Sequence, residues 1–321
     1  MAAEPNPAPL VSVITIFLDA KRFFAEAVES VLGQSYAHWE LLLVDDGSTD
    51  GTSELARQYA ATHPDRIRYL DHVGHRHRGM SATRNLGLQD ARGALIAFLD
   101  ADDVWLPQKL EVQVALFAAH PGAEMLAGTT RLWHSWSGRP EVAGTDSIRK
   151  VSEPADALYA PPQLLRRYLN DQALTPATCS VLIRREACDR IGGFEDRFTG
   201  LYEDQAFFLK AYLALPIYLS STCTDLYRQH PASHSAEALR SGRYSAHEPS
   251  PALVDLFLWL ARELVTWRTV DPGVWHGLLR KLVQLILHRT MVRVNRPLKA
   301  LVAWWYRSEW TRRYREGRHG R

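Results

Sequence analysis

Apolar residues fall along the first hundred positions in two alternating rhythms. Residues 10–17 (LVSVITIF), 39–44 (WELLLV), 67–70 and 94–99 (ALIAFL) are short apolar runs of strand length. Between them, residues 23–32, 54–61 and 80–91 carry apolar positions at helical spacing, with Gly79 and Gly93 as punctuation. Strand and helix taking turns in this way predict a mostly parallel sheet flanked by helices.

The later chain has a different texture. Residues 135–162 show no clear period and read as one long loop, the kind that is functional or disordered. Residues 234–251 turn to Ser, Ala, Arg and Gly and read as a linker to a helical tail. A core over 1–235 is therefore expected, with halves at 10–130 and 131–235, followed by a linker and a basic amphipathic helical extension over 236–321. A length of 321 residues suits one large core with an appendage.

Charge sharpens this division. Residues 276–321 hold 12 Lys or Arg against 2 Asp or Glu, whereas the remainder holds 26 against 34, so a body near −8 carries a tail near +10. The tail's apolar positions, Leu278, Leu282, Leu285, Ile286, Leu298, Leu301, Val302, Trp304, Trp305 and Trp310, have helical spacing. They support either packing against the body or contact with an anionic membrane surface. Lys281, Arg289 and Arg293 break the longest apolar stretches, so no spanning helix is expected. The first ten residues lack a basic cluster and do not read as a signal peptide. Cys179, Cys188 and Cys223 are an odd set without metal-type spacing, as expected for reduced thiols in a cytoplasmic protein, at most peripheral at the inner face of a membrane. No nucleic-acid partner is expected.

The candidate chemistry lies at strand ends, where ligands of such sheets bind. Asp45 and Asp46 close the second strand, before a Gly-Ser-Thr-Asp turn rich in helix-capping residues. A cap explains the turn but not two acids at the strand tip, which can accept hydrogen bonds from a base or a ribose. Asp100, Asp102 and Asp103 follow the fourth strand, and three carboxylates within four residues repel one another unless a cation compensates. A hard divalent ion, Mg²⁺ or Mn²⁺, resolves the repulsion and completes its shell with water and phosphate oxygens. Glu203-Asp204 opens an apolar helix, where acids either complement the helix dipole or do chemistry. In LYRQHPASHS, residues 226–235, Arg228 and His230 could reach a diphosphate or a metal, although most of the 13 histidines, His75 and His77 among them, read as structural.

Taken in order, VSVITIFLDA, ESVLGQSYAHWELLLVDDGSTDGT, RGMSATRNLGL, ARGALIAFLDADDVWLPQKLE, IGGFEDRF, LYEDQAFFLKA and LYRQHPASHS resemble family 2 inverting glycosyltransferases of the GT-A fold, over about residues 10–235. The resemblance implies transfer of a sugar from a nucleotide diphosphate sugar, UDP-linked, to a hydroxyl of a carbohydrate or glycoconjugate acceptor, with Mn²⁺ or Mg²⁺ as cofactor, in polysaccharide or glycoconjugate biosynthesis. Nucleotide-sugar contacts are then expected from Ile16, Leu18, Asp45, Asp46, Arg84, Asp100, Ala101 and Arg228. Asp102 and His230 match the metal-binding positions, and Asp204 matches the catalytic base, with Glu203 as its competitor. This chain departs from the family in having Leu18-Asp19 where Tyr-Asn is common. A nucleotidyltransferase would place acids similarly but should carry a glycine-rich phosphate loop after its first strand, and residues 17–24 contain no glycine. A catalytically inactive nucleotide-sugar-binding module is the remaining alternative, and the intact DADD and YED segments argue against it.

Overall fold

The computed structural model describes residues 8–142, 144–242 and 250–294, with side chains through residue 288. The chain divides into two compact units, 1–230 and 231–321. The first unit begins with β1 (Val11–Phe17), α1 (Phe24–Leu32), β2 (Trp39–Asp45), α2 (Thr52–Thr62), β3 (Ile67–Asp71), α3 (Met80–Asp90) and β4 (Leu95–Phe98). It continues through β5 (Val104–Trp105), α4 (Lys109–Ala119), β6 (Met125–Trp133), β7 (Ser147–Arg149), β8 (Ala157–Tyr159), α5 (Gln163–Leu169), β9 (Val181–Arg184), α6 (Arg185–Arg190), α7 (Glu203–Ala214) and β10 (Ile217–Arg228).

One sheet runs through both halves of this unit, in the order β3-β2-β1-β4-β9-β6-β10-β5, with β7 on β6 and β8 on β10. β1 pairs in parallel with β2 and β4, and β2 with β3. Every residue of β1 and of β2 is buried, as expected for central parallel strands covered on both faces. The alternating signal predicted this four-stranded part. The second half adds an antiparallel element, β9, inserted between β4 and β6. β9 therefore welds the two halves into one sheet, around a core that includes Phe17, Phe24, Leu41, Leu43, Trp105 and Phe117.

Helix α3 lies close against the sheet because Gly87 has no side chain. A Cβ there would stand 2.6 Å from Ile14 Cγ2 and 3.2 Å from Val44 Cγ2, so only glycine fits without a shift. That close seat places Arg84, one turn earlier, against the carboxyl ends of the parallel strands.

Two segments differ from the sequence expectation. Residues 135–162 are not structureless: they hold 3₁₀ turns at Ser135–Ser137 and Pro140–Val142 and the strands β7 and β8. Three-residue strands are too short to show a period of two, which explains their silence in the pattern. In the predicted linker, residues 234–240 form helix α8 (His234–Arg240), capped by Ser233 Oγ, which accepts from Ala236 N at 3.2 Å. The second unit continues with α9 (Pro251–Thr266) and α10 (Pro272–Val294). Ser250 caps α9 and Pro251 opens it, the usual start signal for a helix. The tail positions Leu298, Leu301, Val302, Trp304, Trp305 and Trp310 lie outside the described residues. Among those described, no helix is long and apolar enough to cross a membrane.

Candidate active site

The acids singled out in the sequence gather at one end of the sheet, but they do different work. Asp45 is fully buried. Its Oδ1 accepts from Gly47 N at 3.1 Å and Ser48 N at 2.8 Å, and its Oδ2 accepts from Tyr69 Oη at 2.9 Å and from Ser53 Oγ. Burial alone would raise its pKa, yet these hydrogen bonds outweigh it and hold the carboxyl below its ordinary value. Asp46, the next residue, faces the connection before α3. It accepts from Arg78 N at 2.7 Å and Gly79 N at 3.0 Å, and His77 Nδ1 lies 2.9 Å from its Oδ2. His75, with φ of 52°, bridges the Ser48 carbonyl and Asp71 at 2.8 Å each, and both raise its pKa. Asp45 is thus used to build its own turn, while Asp46 orders the loop over residues 72–79.

Around this edge, Leu18 is 44% exposed at the end of β1. Asp19 follows in the left-handed region, φ 48°, and its Oδ1 accepts from Thr49 N at 2.7 Å. Ile16 and Ala101 have buried side chains, so what they can offer a ligand is backbone.

Arg84 joins the two halves electrostatically. Its buried guanidinium donates to Asp100 Oδ1 at 2.7 Å, while Nε and Nη1 have no hydrogen-bond partner among the described residues. Burial would lower its pKa, but Asp100, Glu203 and Asp204 overcome that and raise it. Two unused donors on a buried cation are suited to an anionic ligand. The neighbouring Asn85 does the mechanical joining. It donates to the Phe194 carbonyl and accepts from Phe194 N, both at 2.9 Å, clamping the Gly192-Gly193 turn onto α3.

Asp204 and Glu203 open α7 immediately after Tyr202, which is itself held at φ 66°, a left-handed conformation that is uncommon for a residue with a bulky side chain. Enclosure pushes the Asp204 carboxyl above its ordinary value, against the opposing pull of Gln205 N, Arg84 and Arg149. Arg149, on β7, is a site residue that sequence reasoning missed, since it lies in the segment read as loop.

The acidic loop after β4 is fastened from below by Arg228. The guanidinium donates through Nε to the Asp102 carbonyl at 2.7 Å and through Nη2 to Glu26 at 2.5 Å, and Arg228 N donates to Asp103 Oδ1 at 2.9 Å. Phe23 and Trp133, each with its ring centre 4.5 Å away, enclose it, and its side chain is only 2% exposed. Arg228 was expected to contact the nucleotide sugar; here its guanidinium is enclosed by the aromatic box and bonded to the Asp102 carbonyl and Glu26. Asp103, fully buried, is pushed well above the ordinary carboxylate range by burial and by Asp102 and Asp100. It is a prop of the loop rather than a ligand-facing acid.

Two residues beyond Arg228, His230 Nε2 comes within 2.9 Å of Asp102 Oδ2, and its ring rests against Phe23. The sequence pairing of Asp102 with His230 is therefore a contact in space. Among the described residues no cluster of three or more His, Cys, Asp or Glu side chains could hold a metal alone. An oxygen and an imidazole nitrogen converging from two loops fit a divalent ion that takes the rest of its shell from a diphosphate and water.

A mostly parallel sheet with acids and a buried arginine at its carboxyl edge, completed by a second half carrying its own acids, is the GT-A glycosyltransferase architecture. The profile of glycosyl transferase family 2 matches residues 12–192, more than half of the chain, and the chain belongs to that family. Curated relatives include the putative glycosyltransferase EpsE of Bacillus subtilis, 40% identical over 149 residues, 46% of this chain and 51% of that one. Another is the Escherichia coli UDP-Glc:alpha-D-GlcNAc-diphosphoundecaprenol beta-1,3-glucosyltransferase WfgD, 38% identical over 107 residues, 33% of this chain and 40% of that one. The match spans about half the length of such relatives or less. Among solved structures, S. aureus TarS 1–349 in complex with UDP-GlcNAc superposes with a TM-score of 0.61 at 19% identity, covering 90% of this chain and 77% of that one. The mannosyltransferase PcManGT from Pyrobaculum calidifontis, in complex with GDP-Man and Mn2+, gives 0.56 at 18% identity, covering 95% and 86%. At these identities the likeness is one of fold.

Proposed function

We propose that this chain is a metal-dependent inverting glycosyltransferase that moves a sugar from a UDP-sugar to a hydroxyl of a polysaccharide or glycoconjugate acceptor. The observation that carries the reading is Arg84, a buried cation with two unused donors set between Asp100 of the nucleotide half and Asp204 of the other. In the mechanism, Arg84 meets negative charge on the departing diphosphate, and Asp204 accepts the proton of the acceptor hydroxyl. Asp102 and His230 would hold a divalent ion, whose chemistry is to neutralise charge on the leaving group. Asp46 and the loop it orders form the base-facing edge, and Arg228 positions Asp102. UDP is favoured over other nucleotides by the relative WfgD, whose name gives UDP-Glc as its donor. A glycoconjugate acceptor also places the protein at a membrane's inner face, with the basic end of the chain on anionic lipid.

The test is a thermal-shift panel of UDP, GDP and their sugars with and without Mn²⁺. UDP compounds with Mn²⁺ should raise the midpoint, since a ligand at about 100 times its Kd stabilises by about 2.7 kcal/mol. A panel in which no nucleotide raises the midpoint overturns the reading.

A further inference from the structure

Among the described residues, helix α10 carries one buried apolar face and one exposed one. Val274, Leu278 and Leu285 are buried, and α10 packs with α9. On another face Leu279, Val283, Ile286 and Leu287 are each at least 50% exposed, at the i, i+4, i+7, i+8 spacing of a single stripe. Soluble helices direct their charged side chains to solvent, so four large aliphatic residues in a row on an exposed face call for a covering partner.

The charge along α10 and beyond it points to that partner. From Pro272 to Val294 the chain has Arg280, Lys281, Arg289 and Arg293 and not one Asp or Glu. The next stretch, residues 295–321, adds 8 Lys or Arg against 2 Glu. A second copy of the chain would bring two such cationic helices together, which like-charge repulsion opposes. An anionic bilayer offers both requirements at once, an acyl boundary for the stripe and phosphate-rich headgroups for the cations. The stripe is about 12 Å long, eight rises of about 1.5 Å from Leu279 to Leu287, so it lies on a bilayer and does not cross one.

We propose that the exposed Leu279–Val283–Ile286–Leu287 face of α10 docks on an anionic lipid surface. Only the purpose of this contact, access to membrane-bound acceptors, rests on the transferase reading; its support does not. Flotation with vesicles of phosphatidylglycerol and phosphatidylcholine, compared with phosphatidylcholine alone, tests it on the full chain. Wild type should float with the anionic vesicles and release at high salt. Val283→Glu/Ile286→Glu should lose at least about 10-fold of that binding while keeping the UDP-dependent thermal shift, which shows that it is folded. Arg280→Glu/Lys281→Glu should weaken binding and reduce its salt dependence. Three results overturn the proposal: no flotation of the wild type, undiminished flotation of Val283→Glu/Ile286→Glu, or a wild-type dimer that this variant converts to monomer without change in flotation. A chain that fails to bind nucleotide yet floats as described keeps the lipid contact and removes the transferase reading alone.

Discussion

Asp204 has the two properties a general base needs, a carboxylate within the field of a buried cation and an environment that raises its pKa. The sign of the pH dependence follows. A raised acid is protonated over a wider range, and only its ionised form accepts a proton, so kcat/KM should rise through an acid limb above the ordinary Asp value of about 3.9. Arg84 pulls that pKa down. Arg84→Met should therefore move the limb to higher pH, while Arg84→Lys holds it nearer its original place. A pH–rate profile of the three proteins checks this, and a limb that does not move in Arg84→Met removes the arginine from the base's environment. Asp204→Asn should lower transfer by about 10²-fold or more.

Residue identity was legible at this scale, but orientation was not. Both Asp45 and Asp46 stood out in the sequence, and the structure sends them opposite ways, as consecutive residues at the end of a strand must go. Arg228 was visible too. Its aromatic box was not, because Phe23, Trp133 and Trp136 come from segments that the linear pattern does not bring together.

At the scale of elements, the sequence disclosed what has a long period and hid what is short or antiparallel. β1, β2, β3, β4 and the three helices between them were readable because continuous apolar runs and helical spacing are strong signals. β7 and β8 were not, and with them went Arg149. Helix α3 shows a further element-level constraint. Replacing Gly87 by Ala should improve helix propensity by about 1 kcal/mol. The added methyl meets Ile14, a buried strand residue that cannot swing away, and overpacking of this kind costs about 1–3 kcal/mol. The net expectation is a loss of stability of up to about 2 kcal/mol in Gly87→Ala, and more in Gly87→Val, measured by urea unfolding. An unfolding midpoint raised by Gly87→Ala would show that α3 has room to move away from β1.

At the scale of the whole molecule, one sheet brings together donors that lie far apart in sequence. Asp102 sits on the turn between β4 and β5, His230 follows β10, and the antiparallel pairing of β5 with β10 keeps them neighbours. For the divalent ion proposed above, this arrangement would supply two protein donors, fewer than such an ion needs, so the remaining ligands would have to come from the nucleotide's phosphates and water. Binding should accordingly be ordered by chemistry. Mn²⁺ alone should stabilise the protein little, UDP alone modestly, and the two together by more than the sum of their separate shifts, since each supplies part of the other's site. Asp102→Asn should abolish the excess while leaving the metal-free response to UDP, because the proposed base-facing edge at Asp46 and the guanidinium of Arg84 are untouched. His230→Ala should reduce the excess without removing it, since a water can replace one imidazole. Thermal shift and calorimetry of the wild type and both variants measure these quantities. Strong Mn²⁺ stabilisation without nucleotide, retained in Asp102→Asn, would place the metal elsewhere in the protein and leave the Asp102–His230 contact as an ordinary hydrogen bond.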